Sequence, residues 1–377
     1  MAMEVETQLQ PPQDFTTRLI SDRGEAVLRA RQLAPILASR AEETNEARRI
    51  PDETIAELHE LGLFGIMTPP AYGGSGLRAD AMFAAAVELG RACGSTGWTY
   101  GVLAGHNDLL AAFPESTQAE VFGDPNVVVA SLLRLNTKPL AKVPGGYRLD
   151  TASGRFCSGV DHSNWLVGRC TLEDEPGQHW VLIPRSSYVI HDDWFTVGLQ
   201  GTGSKSVTVN SSFVPDDHVI PIEEARAPGS SGWNLPFSLC GASIGCAYAA
   251  IDAYRESLRA KGGDEVTQAG LIRLAKATAD VDAAYLMVLD AIDGHLHADD
   301  PGPRVRNAPG RNVSYAVQQA RSVANEIFAA SGGSSIYLSA PLQRIWRDAN
   351  AAAAHTSFAW DAAATNFARR FVFDDLS

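Results

Sequence analysis

From residue 21 to 48, Val27, Leu28, Leu33, Ile36 and Leu37 recur at mixed helical spacings among charges and alanines, which predicts an amphipathic helix. A second helix is expected from Pro51-Asp52-Glu53, because proline and early acidic residues suit a helix N-terminus. It carries Ile55, Leu58, Leu61 and Leu63 mostly on one side. The run Thr68-Pro69-Pro70-Ala71-Tyr72-Gly73-Gly74-Ser75-Gly76 then breaks the chain sharply. Helical spacing resumes over 80–91 and 98–113, with a short helix over 116–122, so the first part of the chain reads as helical.

The pattern then changes. Short β-rich runs stand at 127–132, 147–149, 165–168, 180–183 and 207–209, separated by Gly145-Gly146, Pro176-Gly177 and Pro184. Gly154 to Cys157 also reads as a strand, leading into Ser158-Gly159. Strands at this spacing suggest a small closed or sandwich-like unit. From about residue 238 helical spacing returns over 267–295, 313–330 and 340–370, as in a four-helix bundle. The expected class is mainly α with a central β domain. The expected divisions are a flexible tail (1–15), an N-terminal helical domain (16–125), a β domain (126–225) and a C-terminal helical bundle (226–377).

Composition narrows the chemistry. A net charge of −13, with no Lys/Arg cluster, argues against a nucleic-acid partner. Five dispersed cysteines without a C-x-x-C pair fit reduced thiols rather than a disulfide framework or a zinc site. His295 and His297 lie in a polar segment without a third ligand nearby, so no metal site is expected. The longest apolar stretches are interrupted by Gly and Ser, and residues 1–13 are polar without a basic start, so neither a membrane span nor an export signal is expected, and the location should be cytoplasmic. The glycine-rich Gly198-Leu199-Gln200-Gly201-Thr202-Gly203-Ser204 precedes a strand rather than a helix, which excludes a Rossmann or P-loop phosphate cradle.

Several segments carry a resemblance. Pro69 to Gly76, Phe213-Val214-Pro215-Asp216-Asp217-His218-Val219-Ile220-Pro221, Ser331-Gly332-Gly333-Ser334-Ser335 and Leu342-Gln343-Arg344-Ile345-Trp346-Arg347-Asp348 stand in the order and spacing of the acyl-CoA dehydrogenase fold. The departures point to one branch. The dehydrogenases have a Trp-Ile-Thr-Asn strand where this chain has Phe156-Cys157-Ser158-Gly159, and no Glu follows Glu326 to serve as their bundle base. Instead His355-Thr356-Ser357-Phe358-Ala359-Trp360-Asp361, and Gly94-Ser95-Thr96-Gly97-Trp98 with His106, resemble the two-component (group D) flavin monooxygenases, which include the oxygenase component of p-hydroxyphenylacetate hydroxylase.

That resemblance implies an oxygenase component that uses reduced FMN or FAD and dioxygen, through a C4a-(hydro)peroxyflavin, to hydroxylate a phenol- or indole-like aromatic substrate. With no nicotinamide fingerprint, reduced flavin would come from a separate NAD(P)H:flavin reductase, and the assembly would be a homotetramer. Ser158 would bond the flavin N5 side, and His355 would stabilise the peroxide as a hydrogen-bond donor. His106 would contact the substrate hydroxyl or ring nitrogen, and Trp98 would wall a flat substrate. Ser131 would bond the flavin's pyrimidine side or the substrate. Arg259 would reach the flavin phosphate, and Gly332, Gly333 and Ser334 would offer donors to the flavin tail. Each residue also has a plain structural reading: a satisfied strand serine, a packed histidine, a core tryptophan, a surface arginine, an interhelical turn. The alternatives are a dehydrogenase- or oxidase-like flavoenzyme acting on acyl-CoA, an N- or S-oxygenase of the same branch, and a scaffold without chemistry.

Overall fold

The computed structural model describes residues 17–226, 235–296 and 308–373. Five helices come first: α1 (Arg23–Ala47), α2 (Asp52–Glu60), α3 (Ala79–Ala92), α4 (Gly94–Leu110) and α5 (Glu115–Phe122). Asp22 caps α1, its side chain accepting from the Glu25 amide at 2.9 Å, and Arg48 closes it in the left-handed region with φ 52°. The helix expected over 98–113 begins four residues earlier, at Gly94. The reason is packing: a Cβ on Gly94 would lie 2.8 Å from Cys246 Sγ, so a small residue lets the first turn sit against a later helix. α4 is buried along its whole length.

Ten short strands follow, in three small sheets rather than one continuous barrel. The first joins β1 (Val129–Leu132), β5 (Trp165–Cys170), β6 (His179–Pro184) and β10 (Val219–Pro221), with β1 and β5 parallel. The second joins β2 (Ala141–Val143), β3 (Gly146–Leu149) and β9 (Ser212–Pro215). The third has the order β4 (Ala152–Cys157), β8 (Lys205–Val209), β7 (Tyr188–His191). β4 and β8 are antiparallel with Cys157 opposite Lys205, and a register shift lies between Gly154 and Cys157. At that irregularity Phe156 adopts φ 66°, a conformation costly for an aromatic residue.

The remaining helices are α6 (Leu235–Lys261), α7 (Gln268–Leu296), α8 (Ala308–Ala330), α9 (Pro341–Ala353) and α10 (Trp360–Phe373). α6 packs on α3, α4, α7, α8 and α9, which fuses the bundle to the N-terminal helices. It is long and apolar enough to cross a membrane, but 78% of its apolar window is buried in the protein interior. One expectation fails here. The helix expected over 340–370 is interrupted: α9 stops at Ala353, a 3-10 turn spans Thr356–Phe358, and α10 starts at Trp360. His355 takes an extended conformation (φ −64°, ψ 139°) and its ring accepts the Ser357 amide, so a capping bond replaces helix propagation that the alanine run would favour. The expected tail (1–15) and His297 lie outside the described residues.

Candidate active site

The register of the third sheet builds the centre of the site. Because Cys157 sits opposite Lys205 in an antiparallel pair, the next residue, Ser158, meets the preceding one, Ser204. Their hydroxyl oxygens are 2.7 Å apart. Gly159 follows with φ 69°, turning the chain so that its amide donates to the Thr202 carbonyl at 2.9 Å. The Trp98 indole N–H, from α4, donates to Ser158 Oγ at 3.1 Å. Ser204 Oγ is in turn 2.7 Å from Thr202 Oγ1, which donates to the Leu199 carbonyl at 2.8 Å.

This network forms one wall of a cavity of about 650 Å³. Trp98 and Val102 from α4, Ser131 from β1, Leu239 from α6, and Ala351, Ala354 and His355 from the end of α9 line it, with the segment Trp194 to Leu199 closing one side. The volume suits a flat ring system with a small molecule beside it, and the lining is largely apolar with a few converging polar groups. Phe156, Phe195 and Val197 also line the cavity while 65%, 73% and 74% exposed, so its rim is an apolar surface open to solvent in the single chain.

His355 lines this cavity from the break after α9. Its Nδ1 accepts the Ser357 amide at 3.1 Å, so the neutral ring carries its proton on Nε2. Burial pushes its pKa down to about 4, and the ring is uncharged at neutral pH. The ring stands 5.7 Å from the Trp98 ring centroid in an edge arrangement, fixing both side chains.

Helix α9 also holds the cavity's side segment. Arg347 Nη1 donates to the Val197 carbonyl at 2.7 Å, and the Leu199 amide donates to Asp348 Oδ1 at 2.6 Å. A Cβ on Gly198 would lie 2.3 Å from the Arg347 carbonyl, so only glycine allows this approach. Burial pushes the Asp348 carboxyl up to about 6, against the lowering effect of the Leu199 amide and of Arg344. The segment's fixed end is Leu199, in the left-handed region at φ 51°, whose carbonyl accepts from Thr202 Oγ1, the Thr202 amide and the Trp194 indole.

Of the residues expected from the sequence, Trp98, Ser131, Ser158 and His355 line the cavity together. The others do not. His106 is fully buried in α4, donates from Nδ1 to the Val129 carbonyl at 2.6 Å, and is absent from the cavity lining. Desolvation there pushes its pKa down to about 4. The bond ties α4 to β1, and within one chain His106 stands outside the lining where its expected substrate contact would lie. Arg259 is exposed at the end of α6 and pairs with Glu256 at 2.8 Å. Gly332, Gly333 and Ser334 lie exposed in the turn between α8 and α9, beside exposed Ile336, Tyr337 and Leu338. Within one chain none of these four lines the cavity. Ser204, Thr202, Trp194 and Asp348 were not singled out as site residues by sequence reasoning. Two signals were available: the Gly198 to Ser204 segment, which resembles the family pattern as well as failing to be a phosphate loop, and the Leu342 to Asp348 run that also carries the resemblance. No group of three or more potential metal ligands occurs among the described residues.

Comparison with known proteins places this architecture. The acyl-CoA dehydrogenase N-terminal domain matches residues 29–121 and the acyl-CoA dehydrogenase C-terminal domain matches 237–360. The chain is 31% identical to the oxygenase component of the FADH2-dependent resorcinol hydroxylase of Rhizobium sp., over 88% of this chain and 90% of that protein. It is 33% identical to the oxygenase subunit HsaA of a flavin-dependent monooxygenase of Rhodococcus jostii, over 86% of this chain and 92% of that one. The crystal structure of the HsaA monooxygenase from M. tuberculosis superposes with a TM-score of 0.86 at 29% identity, covering 93% of this chain and 97% of the other. The chain belongs to the acyl-CoA dehydrogenase family, in its branch of flavin-dependent monooxygenase oxygenase components.

Proposed function

We propose that the protein is the oxygenase component of a two-component system that hydroxylates a phenol- or indole-like aromatic substrate with dioxygen and reduced flavin. The observation that carries this reading is the convergence of Ser158, His355, Trp98 and Ser131 on one apolar cavity. Reduced flavin supplies the two electrons that activate dioxygen. A separate NAD(P)H-dependent reductase delivers it, in keeping with the resorcinol hydroxylase relative being named as an oxygenase component.

The residues divide the work by chemistry. Ser158 bonds the flavin at N5, and Ser131 faces the flavin's pyrimidine side or the substrate. His355 offers the Nε2–H donor to an oxygen anion developing in the cavity, as a neutral ring that does not have to lose charge to do so. Trp98, Val102 and Leu239 keep the pocket dry and give a flat substrate its wall. Arg259 and the Gly332-Gly333-Ser334 turn bind the flavin tail of a neighbouring copy in a homotetramer, which accounts for their exposure in the single chain. We place the protein in the cytoplasm, with FMN and FAD both as candidate cofactors. No carboxylate lines the cavity among the described residues, which speaks against a dehydrogenase that needs a glutamate base.

The test is anaerobic mixing with reduced FMN or FAD followed by oxygenated buffer in a stopped-flow spectrometer. A transient absorbing species that precedes oxidised flavin, and decays faster with the right phenol, is the expected result. Oxidation at the rate of free flavin would overturn the reading, and bleaching of bound oxidised flavin by an acyl-CoA would replace it with a dehydrogenase.

A further inference from the structure

The hydroxyl chain behind Ser158 has a direction, and the direction follows from proton counting. Its far end is the Leu199 carbonyl, which can only accept; it takes Thr202 Oγ1 at 2.8 Å, the Thr202 amide at 3.2 Å and the Trp194 indole at 3.1 Å. A threonine hydroxyl has one proton. When Thr202 gives it to Leu199, the 2.7 Å bond between Thr202 and Ser204 must use the Ser204 proton. The 2.7 Å bond between Ser204 and Ser158 must then use the Ser158 proton. At the near end the Trp98 N–H, which can only donate, occupies one lone pair of Ser158 at 3.1 Å. Ser158 is left with one lone pair and no proton for anything in the cavity.

The chain is well fixed in this sense. Ser158 is 8% exposed, Ser204 4%, Thr202 1% and Leu199 5%, so water competes little for these hydroxyls. The Asp348 bond to the Leu199 amide holds the terminal carbonyl in place. Reversing the chain, so that Ser158 points its proton into the cavity, requires Thr202 to give up its bond to Leu199.

From this we propose that Ser204 and Thr202 are positioning residues that set Ser158 as an acceptor and thereby select flavin by redox state. The inference rests on the reading that flavin N5 meets Ser158. Reduced flavin carries a proton on N5 and matches a serine acceptor. Oxidised flavin presents a bare N5 lone pair, which meets a lone pair unless the chain reverses and loses the Thr202–Leu199 bond. A product that binds more weakly than the incoming reduced cofactor leaves the site for the next delivery.

The experiment compares dissociation constants for oxidised FMN and FAD, by fluorescence, with those for the same flavins reduced, by anaerobic calorimetry. Wild type should favour the reduced form. Ser204→Ala frees the Ser158 proton directly, and Thr202→Val removes the group that orients Ser204. Each should cut the oxidised-to-reduced ratio of dissociation constants by about five- to tenfold, the weight of one buried hydrogen bond. The two-electron potential of the bound flavin should fall correspondingly by about 20 to 30 mV. Trp98→Phe removes a donor to Ser158 without altering the chain's direction, so its ratio should stay at the wild-type value. An unchanged ratio in both folded hydroxyl variants, or an equal drop in Trp98→Phe, overturns the proposal while leaving the flavin reading intact. Wild type that binds neither flavin in either state overturns both.

Discussion

Two histidines stand in the two motifs that relate this chain to its family, and burial pushes both down to a pKa of about 4. By titration alone they are the same. By position they differ. His355 stands in the break between two helices, accepts the Ser357 amide on Nδ1 and keeps its donor nitrogen for a cavity it lines. His106 stands in the middle of a wholly buried helix and spends its Nδ1–H on the Val129 carbonyl, away from the cavity lining. A depressed histidine pKa reports desolvation, and desolvation is common to a cofactor pocket and to a protein core. What separates the two is where the bonded nitrogen leaves the other one.

The largest expected effect tests the buried member. His106→Ala empties a fully buried position and removes a donor from the Val129 carbonyl, so unfolding free energy should drop by about 2–4 kcal/mol. Urea titration measures it. Should stability hold while substrate-coupled turnover collapses, the contrast between the two histidines breaks, and His106 returns as a substrate contact.

His355→Ala should do the opposite. Folding should survive, since among the described residues the ring's hydrogen bond is the local cap on Ser357 and its other contacts are ring edges of Trp98 and Phe358, while the share of oxygen released as hydrogen peroxide rises. A roughly tenfold loss of coupled over uncoupled turnover, about 1.4 kcal/mol, is the expected scale. Unchanged peroxide yield would remove His355 from the chemistry.

A smaller effect sharpens what α9 contributes besides presenting His355. Asp348 is raised to about 6 by burial, above its ordinary 3.8, so its charge costs stability above pH 6 and that cost is relieved as pH falls from 6 towards 3.8. Asp348→Asn keeps an acceptor for the Leu199 amide without the charge. It should stabilise the protein at pH 8 by on the order of 1 kcal/mol, and the gain should vanish near pH 4. A loss at pH 8 would mean that the carboxylate's charge, through Arg344, matters more than its hydrogen bond.

The smallest effect is an expected constancy. Because the His355 ring takes up a proton only near about 4, coupling should be level between pH 6 and 8. An inflection near 6.5, measured as peroxide yield against pH, would show an exposed, ordinary histidine at that place.

Much of this was legible beforehand because periodicity and punctuation are local. The helices around Leu33, Leu58 and Phe83 and the strands around Leu166 and Leu182 follow from spacing that a short window contains. The short strands β2, β9 and β10 were not separable, since three or four residues give too few alternations to read. The helix break at His355 was missed for a related reason. Ala351 to Ala354 favour continued helix, and only the cap from Ser357 ends it.

The sequence by itself determined the order of helices and strands, the family, and three of the residues that meet in the cavity around Ser158. These depend on residue types and on neighbours a few positions away. Tertiary structure alone decided that Ser204 and Thr202 stand behind Ser158, that α9 grips Val197 and Leu199, and that His106 faces β1. Each is a pairing across many positions of chain: 46 between Ser158 and Ser204, 149 between Leu199 and Asp348. Sheet register and helix packing fix such pairings, and neither is written in any short stretch of residues.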